Sequence, residues 1–161
     1  MMIRHAKFED AKEVLEIYRY YVENTAVSFA YEAPALKEIE DKIMSSEGRY
    51  VYLVMEIEGR IIGYAYSTRY RERDAYDRTV EVSVYLHKDE TGRGYGKMLM
   101  DELLVKLEQS GTVAVIAVIS SGNEKSGRAF SSWGFTHSGH LPKVGSKFGQ
   151  WYGIDTYYKI L

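Results

Sequence analysis

The run Gly92-Arg93-Gly94-Tyr95-Gly96-Lys97 restricts what this 161-residue chain can form more than any other feature. It lies between a strand-like alternating pattern, Thr79–Leu86, and apolar residues at helical spacing over 99–107. Glycines allow positive φ and let main-chain N–H groups approach an anion closely, and the N-terminus of a helix adds a partial positive charge. The run therefore predicts a phosphate-binding loop; a flexible connector is the alternative.

Two familiar nucleotide-binding motifs do not fit this loop. A P-loop needs G-x-x-x-x-G-K followed by Ser or Thr, but Met98 follows Lys97. A dinucleotide fingerprint, G-x-G-x-x-G, fails because Lys97 or Leu99 stands at the third glycine. In addition, no acidic residue ends the next apolar run, Val113–Ile119. A different phosphate-bearing ligand is therefore expected.

Local patterns along the chain predict an α/β protein with the element order β-α-α-β-β-β-α-β-α-β-β. The expected fold is a mixed, mostly antiparallel central sheet flanked by helices, forming a single domain over residues 1–161. The stretch between the last two strands is rich in Gly and Lys and is expected to be a loop. The run at 113–119 is expected to be buried on both faces. The predicted strands are 2–7, 50–57, 60–70, 79–86, 113–119, 136–141 and 152–160.

Composition disfavours several classes of protein. The formal net charge is −2 with no run of like charges, which argues against nucleic-acid binding. Without cysteine there is no disulfide, Cys-ligated zinc or acyl-cysteine intermediate, and the four histidines lack metal-ligand spacing, so no metal is expected. No apolar run approaches a membrane span, and a signal peptide is absent from residues 1–7, so a cytoplasmic protein is expected. The 15 tyrosines suit pocket walls and subunit contacts or simple β-sheet packing, and both explanations stay open.

Several segments, in their order along the chain, carry a resemblance to a known family. Thr79–His87, the glycine loop, Asn123 and Trp133-Gly134-Phe135 resemble the GCN5-related N-acetyltransferase superfamily. The resemblance implies the acyl-CoA N-acyltransferase fold and acetyl-CoA as co-substrate. Three further segments resemble the phosphinothricin acetyltransferase-like branch, whose members also acetylate methionine sulfoximine and related amino acids: Asn24–Phe29, Ala75-Tyr76 and Gly145–Trp151.

The resemblance also implies a set of coenzyme contacts. The main chain of Val84, Tyr85 and Leu86 would pair with the pantetheine arm like an added strand. The amides from Gly92 to Lys97 would hold the pyrophosphate. The remaining implied contacts are Asn123, Ser126 and Ser132.

Glu81 is the candidate general base. Amide formation needs a neutral amine, because an ammonium has no lone pair, and a general base typically contributes ~10²–10⁴-fold. Glu81 lies three residues before Val84, on the strand face that carries Ser83 and Tyr85. The resemblance assigns this role to the matching glutamate; a solvated residue on a polar strand face is the alternative. The N–H of Val84 or Tyr85 is the candidate donor to the oxyanion.

The acceptor is expected next to this strand. An amino acid offers a carboxylate, which arginine binds bidentately, and Arg71 and Arg73 lie in the loop just before Thr79. Two solvated charges are the alternative. The resemblance places acceptor contacts in this loop and in the segments on either side of it. The expected contacts are Phe29, Arg71, Glu72, Arg73, Tyr76, Glu81, Val82, Ser83, Lys147 and Trp151.

Two positions depart from the family pattern. Phe130 stands where the superfamily often has tyrosine and this branch histidine, so either water protonates the departing thiolate, or another tyrosine reaches it, or the reaction is slow. Thr91 replaces the Arg or Gln that usually begins the pyrophosphate loop. The expected function is acetyl transfer from acetyl-CoA to the α-amino group of a small amino-acid-like substrate through a ternary complex, by a homodimer. The alternatives are a protein N-terminal, lysine or polyamine acetyltransferase, and a non-catalytic acyl-CoA-binding module.

Overall fold

The computed structural model describes residues 1–46 and 48–161. Their strands and helices follow the predicted order. The strands are β1 (Met2–His5), β2 (Tyr52–Ile57), β3 (Arg60–Arg69), β4 (Thr79–Leu86), β5 (Ala114–Ser120), β6 (Thr136–Lys147) and β7 (Gln150–Ile160), and the helices are α1 (Ala11–Asn24), α2 (Leu36–Met44), α3 (Tyr95–Gln109) and α4 (Glu124–Ser132).

The strands form one seven-stranded sheet in the order β1-β2-β3-β4-β5-β7-β6. Neighbouring strands run antiparallel except for β4 and β5, which are parallel. The turn between β2 and β3 fits its sequence, since Glu58 and Gly59 both adopt positive φ, as a two-residue type I′ hairpin turn requires. The predicted mixed, mostly antiparallel sheet is confirmed.

The parallel pair β4–β5 separates partway along its length. Its paired residues run from Thr79 with Ala114 to Glu81 with Ile116. Beyond that point β4 continues to Leu86 and β5 to Ser120 without pairing to each other. On its other side β4 remains paired with β3 as far as Leu86. A wedge-shaped slot, called here the β4–β5 slot, therefore opens within the sheet.

Alternating side chains of β4 divide the molecule into two cores. Val80 and Val82 face a core that includes Leu99 and Leu103 of α3. On the opposite face, α1 and α2 cover a second core that contains Tyr52 and Tyr64, with Tyr85 packed against it. The face that carries Glu81, Ser83 and Tyr85 thus lies on the side of α1 and α2.

Two local expectations were wrong. The strand at β5 is not buried on both faces, because Val118 is 40% exposed where β5 leaves β4. The Gly- and Lys-rich stretch is not a loop, because β6 continues to Lys147. A register shift between Leu141 and Gly145, with Lys143 at positive φ, absorbs the irregular sequence within the strand. Among the described residues, no helix is both long and apolar enough to cross a membrane.

Candidate active site

The β4 edge of the slot offers free main-chain groups at alternate residues. His87 donates its N–H to Ile62 of the β3 strand, whereas the carbonyl of Arg78 accepts from the β5 side. Main-chain groups alternate in direction along a strand, so the even-numbered residues of β4 face the slot. Val84 therefore directs both its N–H and its C=O into the slot, and Tyr85 is bonded towards β3. Of the three residues expected to pair with the pantetheine arm, Val84 and Leu86 therefore direct their main-chain groups into the slot, and Tyr85 does not.

Tyr21 of α1 reaches the end of this edge. Its hydroxyl donates to the Leu86 carbonyl at 2.6 Å, so one of the slot-facing groups already has a protein partner. Burial raises the pKa of Tyr21 to about 12. The phenol therefore stays protonated near neutral pH and keeps donating this hydrogen bond. The sequence did not identify this contact, because it joins residues 65 positions apart.

The glycine loop has the geometry of an anion site. Gly92 and Gly94 adopt φ values of 77° and 82°, the left-handed region that favours glycine. Helix α3 begins at Tyr95, and the first amide that donates back to the loop is that of Met98, to the Gly94 carbonyl at 3.2 Å. The amides of the first helical turn have no partner within the helix and point out from its N-terminus. Gly96 has a different role, since a Cβ there would lie 3.3 Å from the Trp133 ring.

A cavity of about 330 Å³ connects the slot and the loop. Thr91, Phe130 and Trp133 are among the residues that line it. The predicted coenzyme contacts that line it are Val84, Tyr85, Leu86, Gly92, Gly94, Gly96, Lys97, Asn123 and Ser126, and the predicted acceptor contacts that line it are Val82 and Ser83.

Three predicted coenzyme side chains lie outside this cavity. The guanidinium of Arg93 pairs with the Glu90 carboxylate at 3.1 Å, and the ring of Tyr95 packs against the α3 core. Ser132 is exposed, and its hydroxyl donates to the Ala129 carbonyl. For Arg93 and Tyr95 the expected contact with the pyrophosphate is made by the main-chain N–H groups, which belong to the anion loop, and this contact stays a prediction.

Helix α4 closes the far wall of the cavity. The side-chain oxygen of Asn123 caps the helix by accepting from the Ser126 N–H at 3.3 Å. This leaves the amide NH₂ of Asn123 as the group that can donate to a ligand. Phe130 is buried, with its ring centroid 5.0 Å from the centroids of both Trp133 and Phe135. The ring at the family's proton-donor position therefore fills the core and carries no titrating group.

Glu81 is half-buried in the strand beside the slot. Burial raises the pKa of its carboxyl above the usual value. Within the described residues, its carboxylate makes no hydrogen bond or ion pair that would oppose this shift. Its charge acts on the tyrosines of the same face, where it contributes to the raised pKa of Tyr66 after the larger effect of burial. A half-buried, unpartnered carboxylate with a raised pKa has the properties of a general base.

The loop before β4 is organised by an arginine that the sequence analysis did not single out. The guanidinium of Arg69 donates to the carbonyls of Arg71 and Glu72. Arg71 in turn lies over the Tyr70 ring, 5.0 Å from its centroid, and over the Tyr76 ring at 5.7 Å. Arg71 and Arg73 are both exposed and lie outside the cavity. Their contact with an acceptor stays a prediction.

Lys147 is buried, and its ammonium is already bonded. It donates to the carbonyls of Val22, Thr25 and Ser28 at 2.6, 2.7 and 2.8 Å. Burial lowers the pKa of Lys147, while the three carbonyls favour the charged form. The expected role in acceptor contact is therefore replaced by a structural one, because all three N–H donors are used at the end of α1.

The two aromatic residues expected at the acceptor site differ in environment. The Phe29 ring lies 6.1 Å from that of Tyr152, and a Cβ at Gly145 would come within 2.5 Å of it. Phe29 therefore packs the segment after α1 against the β6–β7 hairpin. Trp151, at the tip of that hairpin, is 67% exposed.

The residues present fit a ligand with an extended amide-bearing arm and a phosphate-bearing end. The slot supplies an unpaired strand edge, and the loop supplies convergent amides at a helix N-terminus. Together with the sheet topology, these features define the class of acyl-CoA-dependent transferases. Residues 3–154 match the family described as an acetyltransferase (GNAT) domain, and the chain belongs to that family. The resemblance seen in the sequence is confirmed, and the protein is an N-acetyltransferase.

Similar proteins support this assignment over nearly the whole chain. Phosphinothricin N-acetyltransferase of Streptomyces viridochromogenes is 36% identical, over 94% of this chain and 83% of the relative. The L-methionine sulfoximine/L-methionine sulfone acetyltransferase of Salmonella typhimurium is 35% identical, over 94% and 89%.

Solved structures superpose closely. An acetyltransferase of Salmonella typhimurium with its cofactor acetyl-CoA gives a TM-score of 0.96 at 32% identity, covering 100% of this chain and 94% of that one. A ribosomal-protein-alanine N-acetyltransferase of Brucella melitensis gives 0.95 at 32% identity and covers both chains completely.

Proposed function

We propose that the enzyme transfers the acetyl group of acetyl-CoA to the α-amino group of a small amino-acid-like acceptor, of the phosphinothricin or methionine sulfoximine type, in a ternary complex. The observation that carries the proposal is the β4–β5 slot. The N–H and C=O of Val84 point from β4 into this slot, which opens just after the half-buried Glu81 in the strand. The same cavity extends from the slot to the glycine loop. The relatives that act on these amino acids match 94% of the chain.

In this mechanism Glu81 accepts the proton of the acceptor ammonium, directly or through one water. The resulting amine attacks the thioester carbonyl, forming a C–N bond. The Val84 N–H donates to the developing oxyanion, and one well-placed donor of this kind is worth roughly 2.7–4 kcal/mol. The nitrogen of the tetrahedral intermediate then loses its second proton to water, and the C–S bond breaks. A thiol has an intrinsic pKa near 8.5, so the thiolate can leave without help from an acid. Water then protonates it, because Phe130 has no proton to donate.

The glycine loop and α4 hold the coenzyme in this scheme. The amides from Gly92 to Lys97 bind the pyrophosphate, and the Asn123 amide donates to the pantetheine. Thr91 contributes no positive charge at the loop's start. Arg71 and Arg73, exposed in the loop before β4, are the cations assigned to the acceptor carboxylate. Phe29, Glu72, Tyr76 and Trp151 stay predicted acceptor contacts.

One comparison favours a second function. The Brucella melitensis structure, which covers the whole chain, is described as acting on ribosomal-protein alanine. A peptide acceptor would need an open groove beside Glu81. Residues 71–75, before β4, are exposed, so acetylation of a peptide N-terminus is the alternative to be tested.

The proposal includes a homodimer in the cytoplasm. The β6–β7 hairpin presents a group of exposed apolar side chains at the edge of the sheet. A second copy of the chain would cover them and lie near the acceptor segment through Trp151. The exposed side chains are Leu141, Val144, Phe148 and Trp151.

The test is thiol release from acetyl-CoA with a panel of acceptors: methionine sulfoximine, phosphinothricin, methionine sulfone and an alanine-initiated peptide. We expect turnover on the amino acids and little on the peptide. Activity only on the peptide would establish the second function. Binding of acetyl-CoA in a calorimeter without turnover on any acceptor would leave a non-catalytic coenzyme-binding protein, and absence of binding would refute both.

A further inference from the structure

Ser120, the last residue of β5, carries a buried hydroxyl that no other protein group satisfies. The residue is 7% exposed. Among the residues that the structure describes, its Oγ is the one buried side-chain nitrogen or oxygen without a hydrogen-bond partner. Buried polar groups are normally hydrogen-bonded, and leaving one without a partner costs free energy. A hydroxyl kept in this state beside a ligand cavity indicates a contact with the ligand.

The residue lines the same cavity as the glycine loop. Ser120 forms part of the cavity wall together with Val84 and Phe130. Its main chain is fixed on both sides, because Ser120 pairs with Ile154 of β7 and its carbonyl accepts the Asn123 N–H at 2.9 Å. A serine hydroxyl is placed by a single side-chain torsion. It can therefore turn towards a ligand in the cavity without any movement of the backbone.

The β4–β5 register places Ser120 on the same face of the sheet as the proposed general base. Glu81 pairs with Ile116, and paired residues of neighbouring strands direct their side chains to the same face. Ser120 lies four residues after Ile116, so its side chain is on that face as well. Residues of β5 at odd positions, such as Ala117, point the other way into the core under α3. The hydroxyl therefore lies on the side of the slot from which the acceptor amine approaches in the proposed mechanism.

Ser120 is also level with the position that the proposed mechanism gives to the sulfur. Four residues along β5 from Ile116 correspond to four along β4 from Glu81, which is the level of Tyr85. Tyr85 lies one residue, or roughly 3.3 Å, beyond Val84 in the direction of the glycine loop. With the thioester carbonyl at the Val84 N–H and the pyrophosphate at the loop, the C–S bond points from Val84 towards the loop. The sulfur then lies between the levels of Val84 and Tyr85, across the slot from Ser120.

We propose that the Ser120 hydroxyl donates a hydrogen bond to the coenzyme sulfur as the C–S bond breaks. This inference rests on the proposed function for the position of the thioester at Val84. The electron pair of the C–S bond stays on sulfur, the hydroxyl keeps its proton while it donates, and water supplies the proton that completes the thiol. A serine hydroxyl is a far weaker acid than a thiol, so its role is to stabilise the negative charge on sulfur. Phe130 offers no donor from α4, and Ser120 supplies one from β5.

The test measures the acidity of bound CoA, without an acceptor and without turnover. The ultraviolet absorbance of the thiolate is followed against pH in the enzyme–CoA complex, and the same titration with desulfo-CoA, which lacks the sulfur, removes the contribution of the tyrosines. Because a hydrogen bond to an anion favours the charged form, Ser120→Ala should raise the pKa of the bound thiol by about one unit, or about tenfold in thiolate. Ser131→Ala, the same substitution at an exposed position outside the cavity lining, should leave this pKa unchanged. An unchanged thiol pKa in Ser120→Ala overturns the inference.

Two further measurements separate the sulfur contact from a structural role and from a contact elsewhere on the coenzyme. Ser120→Ala removes a hydroxyl without a partner, so its unfolding temperature should equal or exceed that of the wild type, and a lowered one would indicate a structural hydroxyl and count against the proposal. Ser121→Ala should lower the unfolding temperature, because the Ser121 hydroxyl accepts the Gly153 N–H at 2.8 Å. Desulfo-CoA should bind Ser120→Ala and the wild type equally in calorimetry. Weaker binding to the variant, with no change in thiol pKa, would assign the hydroxyl to the pantetheine amides and refute the sulfur contact.

A kinetic measurement separates failure of this inference from failure of the proposed function. With methionine sulfoximine as acceptor, we expect Ser120→Ala to lower kcat about tenfold and to leave KM for the acceptor unchanged. A raised KM with an unchanged kcat would place the hydroxyl on the acceptor, which is incompatible with the proposal. If no amino acid is acetylated but the pKa of the bound thiol still depends on Ser120, the proposed function fails and the sulfur contact stands. Turnover of methionine sulfoximine together with an unshifted thiol pKa has the opposite meaning.

Discussion

Replacing Lys147 by methionine tests how the end of the first helix is held. The ammonium donates to three carbonyls, one of which, that of Val22, belongs to the last turn of α1. The carbonyls of a last helical turn lack intrahelical partners and carry the negative end of the helix dipole. Methionine has a similar length and apolar stem but no donor, so Lys147→Met removes the three hydrogen bonds and little packing.

The magnitude follows from the three bonds. A hydrogen bond to a charged group contributes about 1.5–3 kcal/mol, so three bonds at the lower limit amount to about 4–5 kcal/mol. Part of this is returned because the variant no longer buries an ammonium and its three carbonyls can bind water. We therefore expect Lys147→Met to lower the free energy of unfolding by about 3 kcal/mol.

Urea denaturation followed by tryptophan fluorescence measures this change. Lys159→Met is the matched control, because the Lys159 ammonium makes a single hydrogen bond of 3.3 Å, to the Trp133 carbonyl. The control should lose less than about 1 kcal/mol. A loss for Lys147→Met no larger than that of the control would refute the argument that this lysine caps α1.

Three further predictions concern the site and the N-terminal ion pair. Glu81→Gln should reduce kcat by about 10²–10⁴-fold with little change in acetyl-CoA affinity. It should also remove the fall in kcat at acidic pH that the wild type shows, whose midpoint lies above the usual carboxyl pKa. Unchanged turnover excludes Glu81 as the base. Gly94→Ala, at φ 82° with open space around the Cβ, should strain the loop by about 1–2 kcal/mol and weaken coenzyme binding in calorimetry, whereas Gly59→Ala, equally strained at φ 77°, should not. Asp10→Asn should cost on the order of 2 kcal/mol at pH 7 in urea titrations. Burial of Asp10 disfavours its charged form, but hydrogen bonds from Arg4 and from the Lys7 N–H hold its pKa below the usual value. The stability that these bonds contribute is present above the pKa of Asp10 in the unfolded chain and is lost as the pH falls through its pKa in the folded protein. The unfolding free energies of Asp10→Asn and the wild type should therefore converge in acid.

Local signals in the sequence were enough to predict most of the sheet and the glycine loop. The alternation of apolar and polar residues in Thr79–Leu86 and the turn at Glu58-Gly59 depend only on neighbouring residues. Both can therefore be identified without knowledge of the tertiary structure. Lys147 and Tyr21 are not, because each acts on a carbonyl contributed by a distant element, and nothing in the local sequence marks that carbonyl.

Side-chain roles in the loop were the least predictable part of the site. Arg93 lies within the predicted anion loop, yet its guanidinium pairs with an acidic residue three positions earlier, Glu90. Gly96 suggested backbone freedom, but its lack of a Cβ serves close packing against Trp133. In both cases the residue type fitted two uses, and only the surrounding atoms distinguish them.

The divergence of β4 from β5 has a mechanical consequence. Strands β1–β4 and strands β5–β7 form two half-sheets whose direct strand pairing is confined to the residues from Thr79/Ala114 to Glu81/Ile116. An extended ligand lying along Val84 would add hydrogen bonds between the two half-sheets and stiffen their junction. Affinity for such a ligand would then depend on how easily the two half-sheets move apart, so substitutions at Thr79 or Ala114, the first pair of this junction, would change its residence time.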